Sequence, residues 1–371
     1  MNNTENNIRL PQELHWDGMD PSPAMSYQFT YCPSPETESA LVRFYYEQQQ
    51  PAIEQHPNWV ASIYPEKKLC YFTSFLENRI FCTAVIEEYS GGFVSTANIS
   101  FGPLTSDPKT TAICIGEIYA YYRKKRFALL TIQPEYIPQE SAEILENLIK
   151  NKLPVQYLND SNNWTSISID LSRSEDEVMK AMSKGHKSDI KKAAKSGLNV
   201  LSNFTSEQFE QFTSIFTKMH RERKLAEPAN GFESFLKDVK KKFESSGSGK
   251  FLLVANADQK ILGGIALIYQ GSVVRYFKGA ADPEVRNLPV LHLAIWEGIR
   301  SSAAKGFKQF DLWGYNHFAK ESEQVFFINR FKKGFGGDFI YYPKKMYFIL
   351  NPFRYRIFQT AQKMYRFIKS R

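Results

Sequence analysis

Two stretches of this 371-residue sequence run through the same series of elements, and few folds accommodate that. In the first, Ala40 to Gln49 has a helical pattern. Leu69–Phe75 and Arg79–Ile86 alternate like paired strands, with Leu76-Glu77-Asn78 at the turn. Gly91-Gly92 precedes a strand from Phe93 to Ser100. A helix (Ala112–Arg126), a strand (Ala128–Ile132), a helix (Ser141–Lys152) and a strand (Trp164–Asp170) follow. In the second, helices at Ser206–Arg223 and Gly231–Ser245 lead into a hairpin, Lys250–Asn256 and Lys260–Tyr269, across Ala257-Asp258-Gln259. A strand (Ser272–Lys278), a long helix (Pro289–Lys305) stopped by Gly306, a strand (Phe307–Trp313) and a helix (Glu323–Lys333) complete it. A repeat of helices, hairpin, strand, helix and strand predicts two similar α/β (α+β) domains, each a mixed central sheet flanked by helices. The length agrees, since one hydrophobic core rarely serves so long a chain. The expected division is a loose polar segment at 1–25, a first domain at 26–165, a second at 166–339 and a basic amphipathic helix at 346–371. Residues 340–371 could complete the first domain.

Composition excludes several classes. Apolar residues make up 43% and charged residues 23%, the balance of a globular protein, and aromatics at 15% suit large cores or a lined cleft. No run of 18 apolar residues occurs, so no membrane-spanning helix is expected. The polar start, Met1 to Asn7, lacks the apolar region of a secretory signal peptide, and a cytoplasmic location is expected. Cys32, Cys70, Cys82 and Cys114 form no C-x-x-C pair and read as reduced thiols, with no metal site or disulfide framework. The net charge of +8 is localised. The last acid is Asp338, and eight basic residues follow it, while the other 39 Lys and Arg balance 39 Asp and Glu. A basic tail of this kind points to an anionic partner.

Ser174-x-x-Glu177 is a capping-box pattern, and the helix it opens is expected to run to Gly197. Lys180, Lys184, Lys187, Lys191 and Lys195 would then line one face, either facing phosphates or simply solvated. The second half has the element order of the GNAT acyltransferase fold. In those enzymes a strand feeds a helix through a Gly-rich pyrophosphate loop. Here the junction from Val274 to Leu291 has only Gly279, ten residues before Pro289. Backbone amides hold a phosphate only where the chain can approach it, which Arg286-Asn287-Leu288-Pro289 does not favour. The fold looks kept and an acetyl-coenzyme A cradle looks lost.

Several segments, in order, resemble the FemABX family of non-ribosomal aminoacyltransferases that build peptidoglycan cross-bridges. They are Trp164–Leu171 with the basic helix containing Ile190-Lys191-Lys192-Ala193, then Tyr276-Phe-Lys-Gly-Ala, Phe310-Asp311-Leu-Trp-Gly314 and Phe331-Lys332-x-Gly334-Phe335-Gly336. The resemblance covers roughly residues 30–345. It implies two tandem GNAT-like domains with a cleft between them, an aminoacyl-tRNA donor and an amine acceptor on a peptidoglycan precursor. No bound cofactor is implied, since the donor is a co-substrate.

By the same resemblance Lys332 sits in the active site, with Phe331 walling the acyl pocket. A fixed ammonium suits the oxyanion that forms when an amine attacks an ester. The alternative is a surface lysine ending a helix. Arg221 matches a family arginine that meets the acceptor's phosphates, with Arg223 as rival. Tyr276, Lys187 and Lys191 complete the substrate-binding candidates. Asp311 could orient the amine or act as base, or else cap the next turn. The family often places a basic residue soon after a Trp near its first helix. Here Trp59 has none until Lys67 and Lys68.

Other signals are weaker. Ser245–Lys250 lacks the full spacing of a phosphate loop, and His186 and His220 lack partners for a metal site. In the tail, Phe353, Ile357, Ala361, Met364 and Ile368 recur at helical spacing among basic residues. That helix could lie on an anionic bilayer or pack back on the first domain. Three functions stay open: aminoacyl transfer from tRNA, acyl-CoA-dependent N-acylation of an amino sugar or lipid for surface polysaccharide, and non-catalytic binding of RNA or membrane. DNA is not an expected partner.

Overall fold

A computed structural model describes residues 25–369 apart from 49–50, 64–65, 92–93, 106, 136, 158–164, 224–226 and 229. The segment expected to be loose, and Trp164 at the expected junction, lie outside the described residues. In chain order the first elements are β1 (Met25–Thr30), α1 (Pro35–Glu47), α2 (Pro57–Ile63), β2 (Lys68–Leu76), β3 (Arg79–Gly91), β4 (Val94–Ser100), α3 (Pro108–Lys124), β5 (Leu129–Gln133), α4 (Gln139–Lys152) and β6 (Val155–Gln156). Then come β7 (Thr165–Asp170), α5 (Glu175–Ala181), α6 (Lys184–Lys195), β8 (Asn199–Leu201), α7 (Ser206–Glu222), α8 (Gly231–Ser246), β9 (Gly249–Ala255) and β10 (Ile261–Gln270). The chain finishes with β11 (Val273–Ala281), α9 (Val290–Ala304), β12 (Gln309–Asp311), α10 (Gln324–Lys333), β13 (Asp338–Tyr341), β14 (Met346–Ile349) and α11 (Pro352–Lys369).

Two compact units result. Unit 1 takes Met1–Ala61, Pro65–Trp164 and Tyr341–Arg371; unit 2 takes Ser62–Tyr64 and Thr165–Ile340. Each holds one seven-stranded mixed sheet, ordered β1-β2-β3-β4-β5-β14-β6 in unit 1 and β13-β7-β12-β11-β10-β9-β8 in unit 2. The duplication is visible in the pairings. An antiparallel hairpin (β2–β3, or β9–β10) leads to a third antiparallel strand (β4, or β11), which pairs parallel with the strand after the next helix (β5, or β12). That strand is flanked in turn by an antiparallel strand from elsewhere in the chain, β14 or β7.

Local chemistry explains the elements. The β2–β3 turn puts Glu77 and Asn78 at φ 49° and 66°, the mirror-image turn whose twist matches a two-residue hairpin. Asp107 caps α3 by accepting from Thr110 N at 3.0 Å, and Pro108 opens its first turn. β5 is buried along its length, as a strand covered on both faces should be.

The expected single helix from Ser174 to Gly197 is a correction. The Ser174–Glu177 capping box forms, but the helix breaks at Met182 and Ser183, and Ser183 caps α6 by accepting from His186 N. The Ser183 amide is drawn out of helical geometry to donate to Gly334 O at 2.9 Å. Lys180 therefore stands on a different helix from Lys184, Lys187, Lys191 and Lys195, and the five do not form one continuous face.

Candidate active site in unit 2

The two units differ where their parallel strands end. In unit 1, β4 and β5 stay paired from Thr96–Leu129 to Ser100–Gln133, the last residues of both strands. Beyond them the Gln55 side chain fills the space, donating to Ser100 O at 2.7 Å, accepting from Val85 N at 2.8 Å and lying against Gly102. In unit 2, β12 pairs with β11 only from Val273–Gln309 to Arg275–Asp311, although β11 continues to Ala281. A bulge at Phe277 also shifts the register between β11 and β10. The strands therefore part at Arg275 and Asp311, and of the side chains singled out from sequence Asp311, Tyr276 and Lys332 lie at this parting.

At the end of β12 the backbone turns left-handed twice, at Trp313 (φ 49°) and Gly314 (φ 62°). A bulky residue rarely accepts this conformation, and here its surroundings hold it. Asp311 Oδ1 accepts from Trp313 N at 2.8 Å, and the Arg275 guanidinium lies over the Trp313 ring at 3.4 Å. Asp311 is buried, accepts also from Ser166 Oγ and pairs with buried Arg275 at 3.3 Å. These are the roles of a turn cap and a paired carboxylate.

Those two left-handed residues aim successive carbonyls at one point, and Lys332 occupies it. From the last turn of α10 its Nζ donates to Gly314 O at 2.8 Å and to Trp313 O. Burial pushes its pKa down to about 8, nearby Lys278 pushes the same way, and Asp311 opposes both. Lys332 is thus not a solvated surface lysine. An ammonium has three donors, and the two carbonyls use two, which leaves one N–H for a further acceptor.

The segment after Lys332 explains its own glycines. Phe335 is fully buried in the unit 2 core, and Phe331 packs against it at 5.3 Å between ring centroids. A Cβ on Gly334 would collide with the His186 imidazole, while Gly336 and Gly337 take φ of 78° and 90°. His186 donates from Nε2 to Phe331 O at 2.8 Å, so its Nδ1 is free to accept from Ser183 Oγ at 3.0 Å. His292 sits 4.6 Å from His186 and 5.0 Å from Phe331 between ring centroids. Burial depresses both imidazoles, His292 to about 4, so its 3.5 Å contact with Asp189 joins a neutral ring to a carboxylate at neutral pH.

The other candidates divide. Tyr276 lies on β11 beside the opening, half-buried, with its hydroxyl filling the space a Cβ at Gly279 would need; burial raises its pKa to about 12. Arg221 is exposed and holds Glu227 through Nη2 at 2.8 Å, whereas Arg223 ends α7 and acts electrostatically on Tyr276 and His220. Lys187 donates to Lys180 O at 3.3 Å and Lys191 is exposed on α6. Lys67 and Lys68 are tied to Glu87 and Glu88 within unit 1 at 2.7 and 2.8 Å. Sequence reasoning missed Arg275, Ser166, His186, His292 and Lys278. Lys278 is lowered by burial and acts electrostatically on Lys332 and His220. Its one sequence signal is a second cation, with Arg275, in a strand whose other residues are apolar, aromatic or glycine. Among the described residues no group of acids, histidines and cysteines could hold a metal, and no helix is long and apolar enough to cross a membrane.

Comparison with known proteins agrees with this duplication and asymmetry. The family model described as Acetyltransferase (GNAT) domain matches residues 181–324, within unit 2; the span includes Arg275 and Asp311 but neither Ser166 nor Lys332. The second unit is a GNAT acyltransferase domain. The whole chain has the fold of FemX, at 12% identity and a TM-score of 0.73, covering 89% of this chain and 99% of that one. A tandem GNAT protein from the clavulanic acid biosynthesis pathway superposes at 0.53 with 10% identity, covering 88% of this chain and 99% of that one. The C-terminal domain of a putative lysylphosphatidylglycerol synthetase from Agrobacterium fabrum reaches 0.56 with 11% identity, covering 88% and 96%. No curated protein matches the chain in sequence. The fold is thus a tandem GNAT fold, FemX-like in its overall course, and the opening in unit 2 is the candidate site.

Proposed function

We propose that this chain transfers an aminoacyl group from an aminoacyl-tRNA to an amine of a peptidoglycan or other cell-envelope precursor, working in the cytoplasm. The observation that carries the reading is the Lys332 ammonium, fixed by two carbonyls with one donor to spare beside an opened strand. The amine nitrogen attacks the ester carbonyl carbon, and the carbonyl oxygen becomes an oxyanion that accepts from Lys332. The C–O bond to the ribose then breaks. The ribose oxygen leaves with the proton the amine gives up, and an amide remains. A preorganised donor on such an oxyanion is worth about 10²–10³ in turnover.

Two features favour tRNA over acyl-CoA as donor. No glycine lies between Gly279 and Gly298, and the residue before α9 is Pro289, which has no N–H to offer a phosphate. The Asn287 carbonyl in this turn accepts from Lys192 at 2.8 Å. The lysines of α6 offer a cationic surface suited to RNA. The FemABX resemblance points the same way, as does a neighbour named for making an aminoacyl phospholipid.

A second reading, acyl-CoA-dependent N-acylation of an amino sugar or lipid, is favoured by the acetyltransferase description of the matching family model. One experiment separates them. The protein and its Lys332→Met variant are given either charged tRNA or acyl-CoA, with amine acceptors that include nucleotide-linked peptidoglycan precursors. Transfer from charged tRNA is expected, falling about 10²–10³-fold in the variant. Transfer from acyl-CoA alone would overturn the donor assignment, and full turnover by the variant would overturn the role of Lys332.

A further inference from the structure

The last helix is amphipathic, and the structure shows which of its faces is covered. At about 100° per residue, Arg354, Tyr355 and Phe358 of α11 share one side. These three are half-buried, and Arg354 Nη1 donates to Arg126 O at 2.7 Å, which ties that side to unit 1. Phe353, Ile357, Ala361 and Met364 fall within about 80° of arc elsewhere on the helix. They are exposed, Phe353 to 74% and Met364 to 62%. Arg356 and Lys363, also exposed, border the apolar strip on its outer side. The docking of α11 thus uses a different face from its most apolar one.

The chemistry of the strip restricts its occupant. It presents large apolar side chains and cations together, in a stretch of 33 residues that contains no acid. A polynucleotide would satisfy the cations and leave Phe353, Ile357 and Met364 without an apolar medium. A second copy of the strip would cover them and bring like charges together. An anionic lipid surface satisfies both, with acyl chains under the apolar strip and phosphate headgroups beside the cations. We propose that α11 is a peripheral docking helix for an anionic lipid bilayer, lying in the plane of the surface on this strip. This goes beyond the acyl-transfer reading and does not depend on it.

The full chain is sedimented with phosphatidylcholine vesicles with or without phosphatidylglycerol. Two variants are compared with it, F353S/I357S/M364S and R356Q/K363Q. All five positions are exposed, so far-UV circular dichroism and the thermal midpoint should not change. Binding is expected only to the phosphatidylglycerol vesicles, weakened by added salt and reduced at least about tenfold in either variant. Equal binding of wild type and F353S/I357S/M364S overturns the proposal, as does equal binding to neutral and anionic vesicles. A wild-type dimer in light scattering that F353S/I357S/M364S abolishes, with no vesicle binding, would assign the strip to a second copy instead.

Discussion

At the scale of single residues, the unit 2 site is organised by what Lys332 and Gly334 touch. Gly334 has ordinary helical backbone, so its requirement for glycine comes from the imidazole of His186 against its Cα. Gly334→Ala is therefore expected to cost about 1–3 kcal/mol, as overpacking does. Gly334→Ala combined with His186→Ala should recover most of that loss, a coupling that a double-mutant cycle on urea midpoints would show. Additive losses would place the strain elsewhere. Lys332 gives a pH prediction. With its pKa near 8 it is mostly charged at neutral pH and loses its proton as pH rises through that value. If its ammonium stabilises the oxyanion, kcat/KM falls on an alkaline limb near pH 8, and Lys332→Arg moves the limb upward, because arginine keeps its proton. A limb that stays near 8 in the arginine variant belongs to another group. The stability effect of Lys332 has the opposite sense. Its folded pKa is below the ordinary 10.5, so this burial penalty shrinks as pH rises from about 8 to 10.5. None of this could be read from the F-K-K-G-F-G segment alone. The sequence shows a lysine among phenylalanines, whereas its state depends on two carbonyls 18 and 19 positions away.

At the scale of elements, what was legible was what local chemistry decides. The hairpin turns, the Ser174 capping box and the long helices follow from side chains within a few residues of one another. The break between α5 and α6 was not legible, because its cause is distant in sequence: Ser183 N bonds Gly334 O. The strand expected from Phe307 to Trp313 is likewise shortened to Gln309–Asp311, since Trp313 turns left-handed to serve Lys332. The break has a measurable worth. Ser183 caps α6 at His186 N and also contacts His186 Nδ1, so Ser183→Ala removes both bonds. A loss of about 1–2 kcal/mol in urea unfolding is expected, with raised amide exchange in the first turn of α6. An unchanged exchange pattern would mean that the Gly334 contact alone fixes the helix start.

At the scale of the molecule, hydrophobic alternation was enough to reveal the duplication, because each copy repeats its hairpin, strand, helix and strand. It could not reveal the position of β14. Four residues beyond unit 2 in sequence belong to the unit 1 sheet, between β5 and β6, and nothing in Met346–Ile349 specifies those neighbours. The consequence is that the two units depend unequally on the end of the chain. Met346, Phe348 and Leu350 are at most 7% exposed and sit in the unit 1 core with Leu130 and Ile132. Removing them exposes about 1.5–3 kcal/mol of apolar burial each and opens the hydrogen-bonding edge of β5. The sum is comparable to the whole stability of a typical domain, about 5–15 kcal/mol. A chain ending at Ile340 keeps all of β7 to β12 and nearly all of β13. It is therefore expected to lose protection throughout unit 1 while unit 2 keeps its own. Limited proteolysis should then leave a resistant core beginning near Thr165, and hydrogen exchange should show fast amides in β2 to β5 and slow ones in β9 to β12. Slow exchange in β5 of the shortened chain would show that its sheet closes without β14.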